Sequence, residues 1–175
     1  EKRLGEHDET YRGSKGELPI TDLEYRDPLC EAFIKGAIEQ GIPLNKDYNG
    51  QFQEGVSYVQ RTTKGRFRVS ASKAFLKPVK SRQNLAIITD AFVTKIIIEN
   101  KTATGVEYLK GGVRGKKIIL KADKEVILSS GVIKSPHLLN LSGIGSGKHL
   151  KDIGIDVIHD LKGVGMNLRD HFAPR

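Results

Sequence analysis

The stretch EVILSSGVIKSPHLLNLSGIG, Glu125–Gly145, constrains this chain more than any other. Val126, Ile127 and Leu128 form a continuous apolar run, the pattern of a parallel strand covered on both faces. Ser129, Ser130 and Gly131 are small enough to let a ligand or a second backbone come close. Ser135 stands where an N-cap belongs, and Pro136 where the first helical residue belongs. Leu138, Leu139 and Leu141 supply the apolar side of that helix, and Gly143 is placed to stop it. A strand that turns through small residues into a helix N-terminus is a physical setting for an anionic cofactor.

Around this stretch, local signals predict further elements. Asp27 and Pro28 open a helix over Asp27–Gln40, which Gly41 ends. Its apolar residues Leu29, Cys30, Phe33, Ile34, Ala37 and Ile38 recur at helical spacing, which puts Cys30 on the buried face as a packing residue. Asn49-Gly50 marks a turn, and Gly55–Gln60 alternates like a strand. Ser70 caps a short helix through Leu76 that stops before Pro78. Leu85–Thr89, Ala91–Glu99, Gly105–Leu109 and Lys116–Leu120 read as four strands, joined by tight Asn100-Lys101 and Gly111-Gly112 turns into an antiparallel meander. Ser146–Ile153 is a short helix ended by Gly154, and Asp156–Leu161 a strand.

Composition narrows the classes. The chain has 175 residues, 38% hydrophobic and 29% charged, enough for a domain with a core. No apolar run approaches the length of a membrane span. The single Cys30 excludes an internal disulfide and a multi-cysteine metal site. The five histidines, His7, His137, His149, His159 and His171, show no metal-ligand spacing. The net charge is +8, but the basic residues are spread along the chain and interleaved with acids. That reads as a solvated basic surface rather than a nucleic-acid interface. GIGSGK, Gly143–Lys148, fails as a phosphate loop, because His149 stands where Ser or Thr is required. It also fails as a dinucleotide fingerprint, because Lys148 occupies the third glycine position. The charged opening EKRLGEHDET contains neither a leader nor a Met, so an internal piece of a longer protein is expected, with the cytoplasm favoured.

GVIKSPHLLNLSGIG resembles the second signature of the glucose–methanol–choline oxidoreductases, which are flavin enzymes. The matching residues are Gly131, Ser135, Pro136, Leu138, Leu139, Ser142, Gly143, Ile144 and Gly145; Val132 departs from the small residue usual there. Four other segments resemble the same family in the same order. YRGSKGELPITD resembles the segment that leads from its flavin domain into its substrate domain, and the NKDYNG…GVSY stretch resembles one that lies in the substrate domain beside the active-site cavity. Arg68–Pro78, with Arg-x-Ser-Ala-x-x-Ala-Phe-Leu-x-Pro, resembles the return to the flavin domain. Gly163–His171, GVGMNLRDH, resembles its Val-Gly-x-Asn-Leu-x-Asp-His motif, with Arg169 where Gln is common.

The resemblance implies an α/β (mixed α+β) chain, part of an FAD-binding two-dinucleotide-fold domain with a β-meander, plus a segment of the substrate-binding domain. It divides the chain into residues 1–64, a substrate-domain segment and connection; 65–145, an FAD-domain segment; and 146–175, leading back towards the substrate domain. Val93 matches a valine whose backbone groups contact the adenine of FAD. Ser130, Gly131, Asn167 and Asp170 are the other cofactor-binding candidates, although holding the loop is as good a role for the last two. Tyr58 or Gln60 is a candidate pocket-lining residue. No catalytic residue falls in this chain, and His171 is not assigned as the base, because the family's histidine lies further along. The implied reaction oxidises a CH–OH group of choline or another alcohol, passing hydride to flavin and then to a quinone, another carrier or O2. Two other classes stay open: a nucleotide-binding module without redox chemistry, and a basic nucleic-acid-binding protein.

Overall fold

The computed structural model describes residues 1–171, in two compact units divided between Ile87 and Ile88. Little of the first unit is regular, as its glycine and proline content predicts. β1 (Lys2–Arg3) and β2 (Pro19–Ile20) pair in parallel, and Thr21 bridges Arg61. Ion pairs made by two buried arginines tie these segments together. Arg3 reaches Asp22 at 2.6 Å, and Arg12 reaches Glu1 at 2.6 Å, Asp47, and Gln60 at 3.1 Å. Both guanidiniums are buried, and a buried charge persists only when it is paired.

α1 (Pro28–Glu39) has the predicted limits. The Asp27 carboxylate accepts the Leu29 amide at 2.9 Å, Pro28 is the first helical residue, and Gly41 follows at φ 87°. The predicted burial of its apolar face is wrong. No residue of α1 is buried, Leu29 is 81% and Phe33 73% exposed, and Cys30 is exposed too. Helical spacing decides which residues share a face; it does not supply a surface to cover them.

β3 (Thr63–Lys64) and β4 (Phe67–Arg68) form a small hairpin. The strand expected at Gly55–Gln60 reduces to a single bridge from Val56 to Leu44. The helix after Ser70 is one wide turn, Ser72–Leu76, which runs on through Pro78 as a 3₁₀ turn, Lys77–Val79. Proline is admitted there because a first-turn position has no helical bond to lose.

In the second unit the meander has three strands, not four. β5 (Ala91–Glu99), β6 (Thr102–Lys110) and β7 (Lys116–Lys121) form an antiparallel sheet with β6 in the centre. Leu85–Thr89 forms no strand. Asn100 and Lys101 both have positive φ, 50° and 65°, the type I′ geometry whose twist suits a hairpin. Gly105 lies in the central strand, where a Cβ would strike the Leu120 carbonyl.

The predicted strand at Val126–Leu128 also needs correction. Among the described residues no segment pairs with it, and Ile127 is 78% exposed. A parallel strand needs neighbours, and the described residues provide none here. α2 (Gly131–Leu141) starts earlier than predicted, so Pro136 lies inside it and Ser135 is not its N-cap. Ser135 acts on the helix start from within, its hydroxyl accepting the Ser130 amide at 3.1 Å. Pro136 cannot donate to the Val132 carbonyl, but Val132 is exposed, so water can satisfy that group. Gly143, φ 81°, ends the helix as predicted.

β8 (Ile144–Gly145) and β9 (His159–Asp160) pair in parallel around α3 (Gly147–Asp152), and Asp160 accepts the Gly147 amide at 2.8 Å. The predicted strand at Asp156–Leu161 thus narrows to β9. Ile96, Tyr108, Leu138, Leu150 and Ser142 make the buried centre of this unit.

Candidate functional site

Among the described residues β5 is an edge strand, because only β6 pairs with it. In an antiparallel ladder, opposed residues alternate between exchanging both backbone bonds and turning both groups outward. The Gly111 amide bonds to the Asp90 carbonyl at 2.8 Å, and Ala91, Phe92 and Val93 then oppose Lys110, Leu109 and Tyr108. Counting from that bond, Phe92 is a bonded position, while Ala91 and Val93 turn their N–H and C=O to the open edge. Val93 is 38% exposed. It therefore offers an adjacent donor and acceptor that a planar heterocycle can reach.

The same edge is anchored three residues further on. The Ile96 amide donates to the Ser142 hydroxyl at 2.8 Å, and that hydroxyl donates to the Leu138 carbonyl at 2.6 Å. Ser142 is fully buried. It ties the C-terminal end of α2 to the open edge of β5. In the sequence Ser142 stands only as a motif position; its partner Ile96 is 46 residues away, so no local signal shows this role.

The N-terminal end of α2 holds two of the predicted residues. Ser130 precedes the helix, and Gly131 has φ 81° with nothing within 4 Å of where a Cβ would stand. First-turn amides of a helix of this length carry partial positive charge and suit an anion. The loop after β9 lies against the middle of α2, where a Cβ on Gly165 would sit 3.9 Å from the Pro136 Cβ. Asn167, in that loop, is exposed and adopts the left-handed φ of 59° that asparagine tolerates. Asp170 accepts the His171 amide at 2.8 Å, which orders the loop locally. Ser130, Gly131, Asn167 and Asp170 thus belong to α2 and the loop beside it. Val93 belongs to the strand tied to the other end of α2, and no hydrogen bond among the described residues joins it to the other four.

A mainly apolar cavity of about 370 Å³ lies between β5, the Val126–Leu128 segment, α2 and β9. Ile96, Ile98, Leu128 and Leu139 line it, with His159 and Lys101 at polar positions. On the face of the sheet, Glu107 accepts from the Thr94 hydroxyl at 2.7 Å and pairs with Lys117 at 3.0 Å. The Thr94 hydrogen bond, and next the Lys117 ammonium, hold the Glu107 carboxyl below its ordinary value.

The first unit has a separate cavity of about 690 Å³, and Tyr58 lines it as anticipated. Arg26 stacks 4.4 Å from the Tyr58 ring centre. Burial, and then Glu31, push the Tyr58 phenol up. The charges around that cavity are largely paired internally: Arg3 with Asp22, Lys46 with Glu6, Lys35 with Glu39. Gln60 is held instead by Asp47 and Arg12. Among the described residues no group of three or more His, Cys, Asp or Glu could hold a metal ion, and no helix is long and apolar enough to cross a membrane.

Comparison with known proteins places this geometry. The family model described as GMC oxidoreductase matches residues 4–173. The chain is 43% identical over 161 residues to an alcohol dehydrogenase [acceptor] of Pseudomonas putida, covering 92% of this chain and 29% of that protein. It is 45% identical over 161 residues to an oxygen-dependent choline dehydrogenase of Sinorhizobium fredii, with the same two coverages. An FAD-dependent oxidoreductase from Chaetomium thermophilum superposes with a TM-score of 0.82 at 33% identity, over 89% of this chain and 27% of that one. The chain therefore spans about 29% of the length of the curated relatives it matches.

Proposed function

The chain belongs to the GMC oxidoreductase family, and from that premise we propose that the whole protein oxidises a CH–OH group of choline or another alcohol with FAD as its cofactor. The family match over residues 4–173 carries this reading. The names of the relatives, an alcohol dehydrogenase and choline dehydrogenases, support an alcohol as donor. When bound, FAD supplies the hydride acceptor and carries the redox chemistry.

This chain's own share is to bind and orient. Val93 would hold the adenine through its backbone N–H and C=O. The residues fit that group: adenine needs one donor and one acceptor side by side, and Val93 carries both on an edge that no other strand among the described residues occupies. Ser130 and Gly131 would face the anionic part of the cofactor at the start of α2. Asn167 and Asp170 would hold or touch it from the adjoining loop. We assign no catalytic residue to this chain. By the same reading, residues 1–64 belong to the substrate domain and its connection, 65–145 to the FAD domain, and 146–175 to the path back. The electron acceptor is a quinone, another carrier or O2.

The test is an absorption spectrum of the full-length protein. Visible flavin bands that bleach when choline or a simple alcohol is added without oxygen are the expected result. A protein that stays colourless after FAD is supplied would reduce the family match to a shared fold, and a nucleotide-binding module would take its place.

A further inference from the structure

Val93 and Ile96 are three residues apart, yet both turn their backbone groups to the open edge of β5. Val93 does so by the alternation that starts at Asp90, and Ile96 by its bond to Ser142. In a regular strand the direction alternates with a period of two, so residues three apart face opposite edges. One extra residue between them restores the match. The register supplies it: Val93 opposes Tyr108 and Lys95 opposes Glu107, so Thr94 has no partner of its own. This is a β-bulge, a device that re-aims part of a strand.

The bulge is clamped by side chains from the other two strands of the sheet. The Thr94 hydroxyl donates to the Glu107 carboxylate at 2.7 Å and lies 3.2 Å from the Glu107 carbonyl. Lys117 on β7 holds the other carboxylate oxygen at 3.0 Å. Thr94 on β5, Glu107 on β6 and Lys117 on β7 therefore span the whole sheet at the bulge. If the strand lost the bulge while Ser142 still held Ile96, Val93 would turn its N–H and C=O into the ladder with β6, where no ligand could use them.

We propose that the Thr94 bulge, clamped by Glu107 and Lys117, is a positioning device for nucleobase recognition: it brings the Val93 backbone pair round to the ligand-accessible edge of β5. The proposal rests on the reading that Val93 holds the adenine. Thr94 acts through Val93, so its removal affects selectivity for the base rather than the redox step.

The experiment measures binding of two probes to the full-length apoprotein: FAD, and an FAD analogue with unsubstituted purine in place of adenine. The analogue lacks the amine that the Val93 carbonyl would accept. Wild type is expected to prefer FAD roughly tenfold, the worth of one hydrogen bond. Thr94→Val keeps the shape and removes the hydroxyl, and its preference is expected to fall to about twofold or less; Thr94→Ser is expected to restore it. General loosening would weaken both probes alike and leave their ratio unchanged. A wild-type preference that Thr94→Val retains overturns the proposal and leaves the Val93 reading standing. No preference in wild type overturns the Val93 reading and the proposal with it. Should Thr94→Val not fold, Glu107→Gln is expected to reduce the preference to about threefold by removing the charge that Lys117 holds. A full tenfold ratio in that variant overturns the clamp.

Discussion

The hydroxyl of Ser142 accepts the amide of Ile96 at 2.8 Å, and it does so where both groups are buried. An edge strand exposes unpaired amides, and this one is satisfied by a side chain from the end of a helix. Ser142→Ala leaves the Ile96 N–H buried without a partner, a cost of about 1–3 kcal/mol. Denaturant unfolding of the full-length protein measures it. A loss below about 0.5 kcal/mol, within the usual spread for surface changes, would mean that water or another group replaces the serine.

Two glycines should respond in opposite directions. Gly105→Ala drives a methyl group into the Leu120 carbonyl across the central strand, and overpacking of that kind costs about 1–3 kcal/mol. Gly36 is inside α1 with nothing within 4 Å of a Cβ and no positive φ. Gly36→Ala should stabilise by about 0.5–1 kcal/mol. Thermal melts of the two variants, compared with wild type, must move apart for this account to hold.

Arg12 is the buried hub of the first unit. Replacing it with Ala takes the cation from Asp47 and Glu1 and leaves the Gln60 amide as the side-chain partner of Asp47. Breaking a buried pair from one side costs about 3–5 kcal/mol. Limited proteolysis of the full-length protein should find new cleavage around the Asp47–Gly50 turn. Unchanged resistance there would show that the turn holds without its arginine.

The Glu107 carboxyl is held below its ordinary value of 4.5. A depressed carboxylate contributes stability that is present above the unfolded pKa and is lost as pH falls through the folded one. Stability of the wild type should therefore decline on acidification from about pH 5 downward, and Glu107→Gln should flatten part of that decline. Denaturation midpoints measured across that range would refute the assignment if both proteins declined in parallel.

The isolated chain leaves Leu29 and Phe33 exposed on one side of α1. Exposed apolar patches promote association. Sedimentation should detect concentration-dependent self-association of the 175-residue chain, reduced by Phe33→Glu. The same preparation should neither bind FAD tightly nor oxidise alcohols, and turnover by it would contradict the absence of a catalytic residue from these residues.

What was legible in the sequence was local. Asp27-Pro28 and Gly41 bound α1 because caps act within one turn. Asn100-Lys101 and Gly111-Gly112 announced the meander because positive φ favours those residue types. What escaped depends on distant partners. The bulge at Thr94 is set by Glu107 on another strand. Ser142 meets Ile96 across 46 positions of sequence. Cys30 was misread because periodicity says nothing about cover. Pro136 looked like a first helical residue because proline is common there, while an exposed Val132 carbonyl also admits it inside the helix. Among the candidate site residues, the motif pointed to Val93, but the direction of its amide came only from the ladder.

The two-residue turn between β5 and β6 also bears on the order in which the second unit assembles. Its ends are neighbours in sequence, so the hairpin closes almost no loop and can form within about 1–10 μs. The bond from Ser142 to Ile96 closes a far longer loop, and the entropy of that closure must be met before the contact rewards it. The hairpin should therefore be present in the transition state and the Ser142 anchor absent from it. Removing the anchor would then hasten unfolding and leave the folding rate almost unchanged.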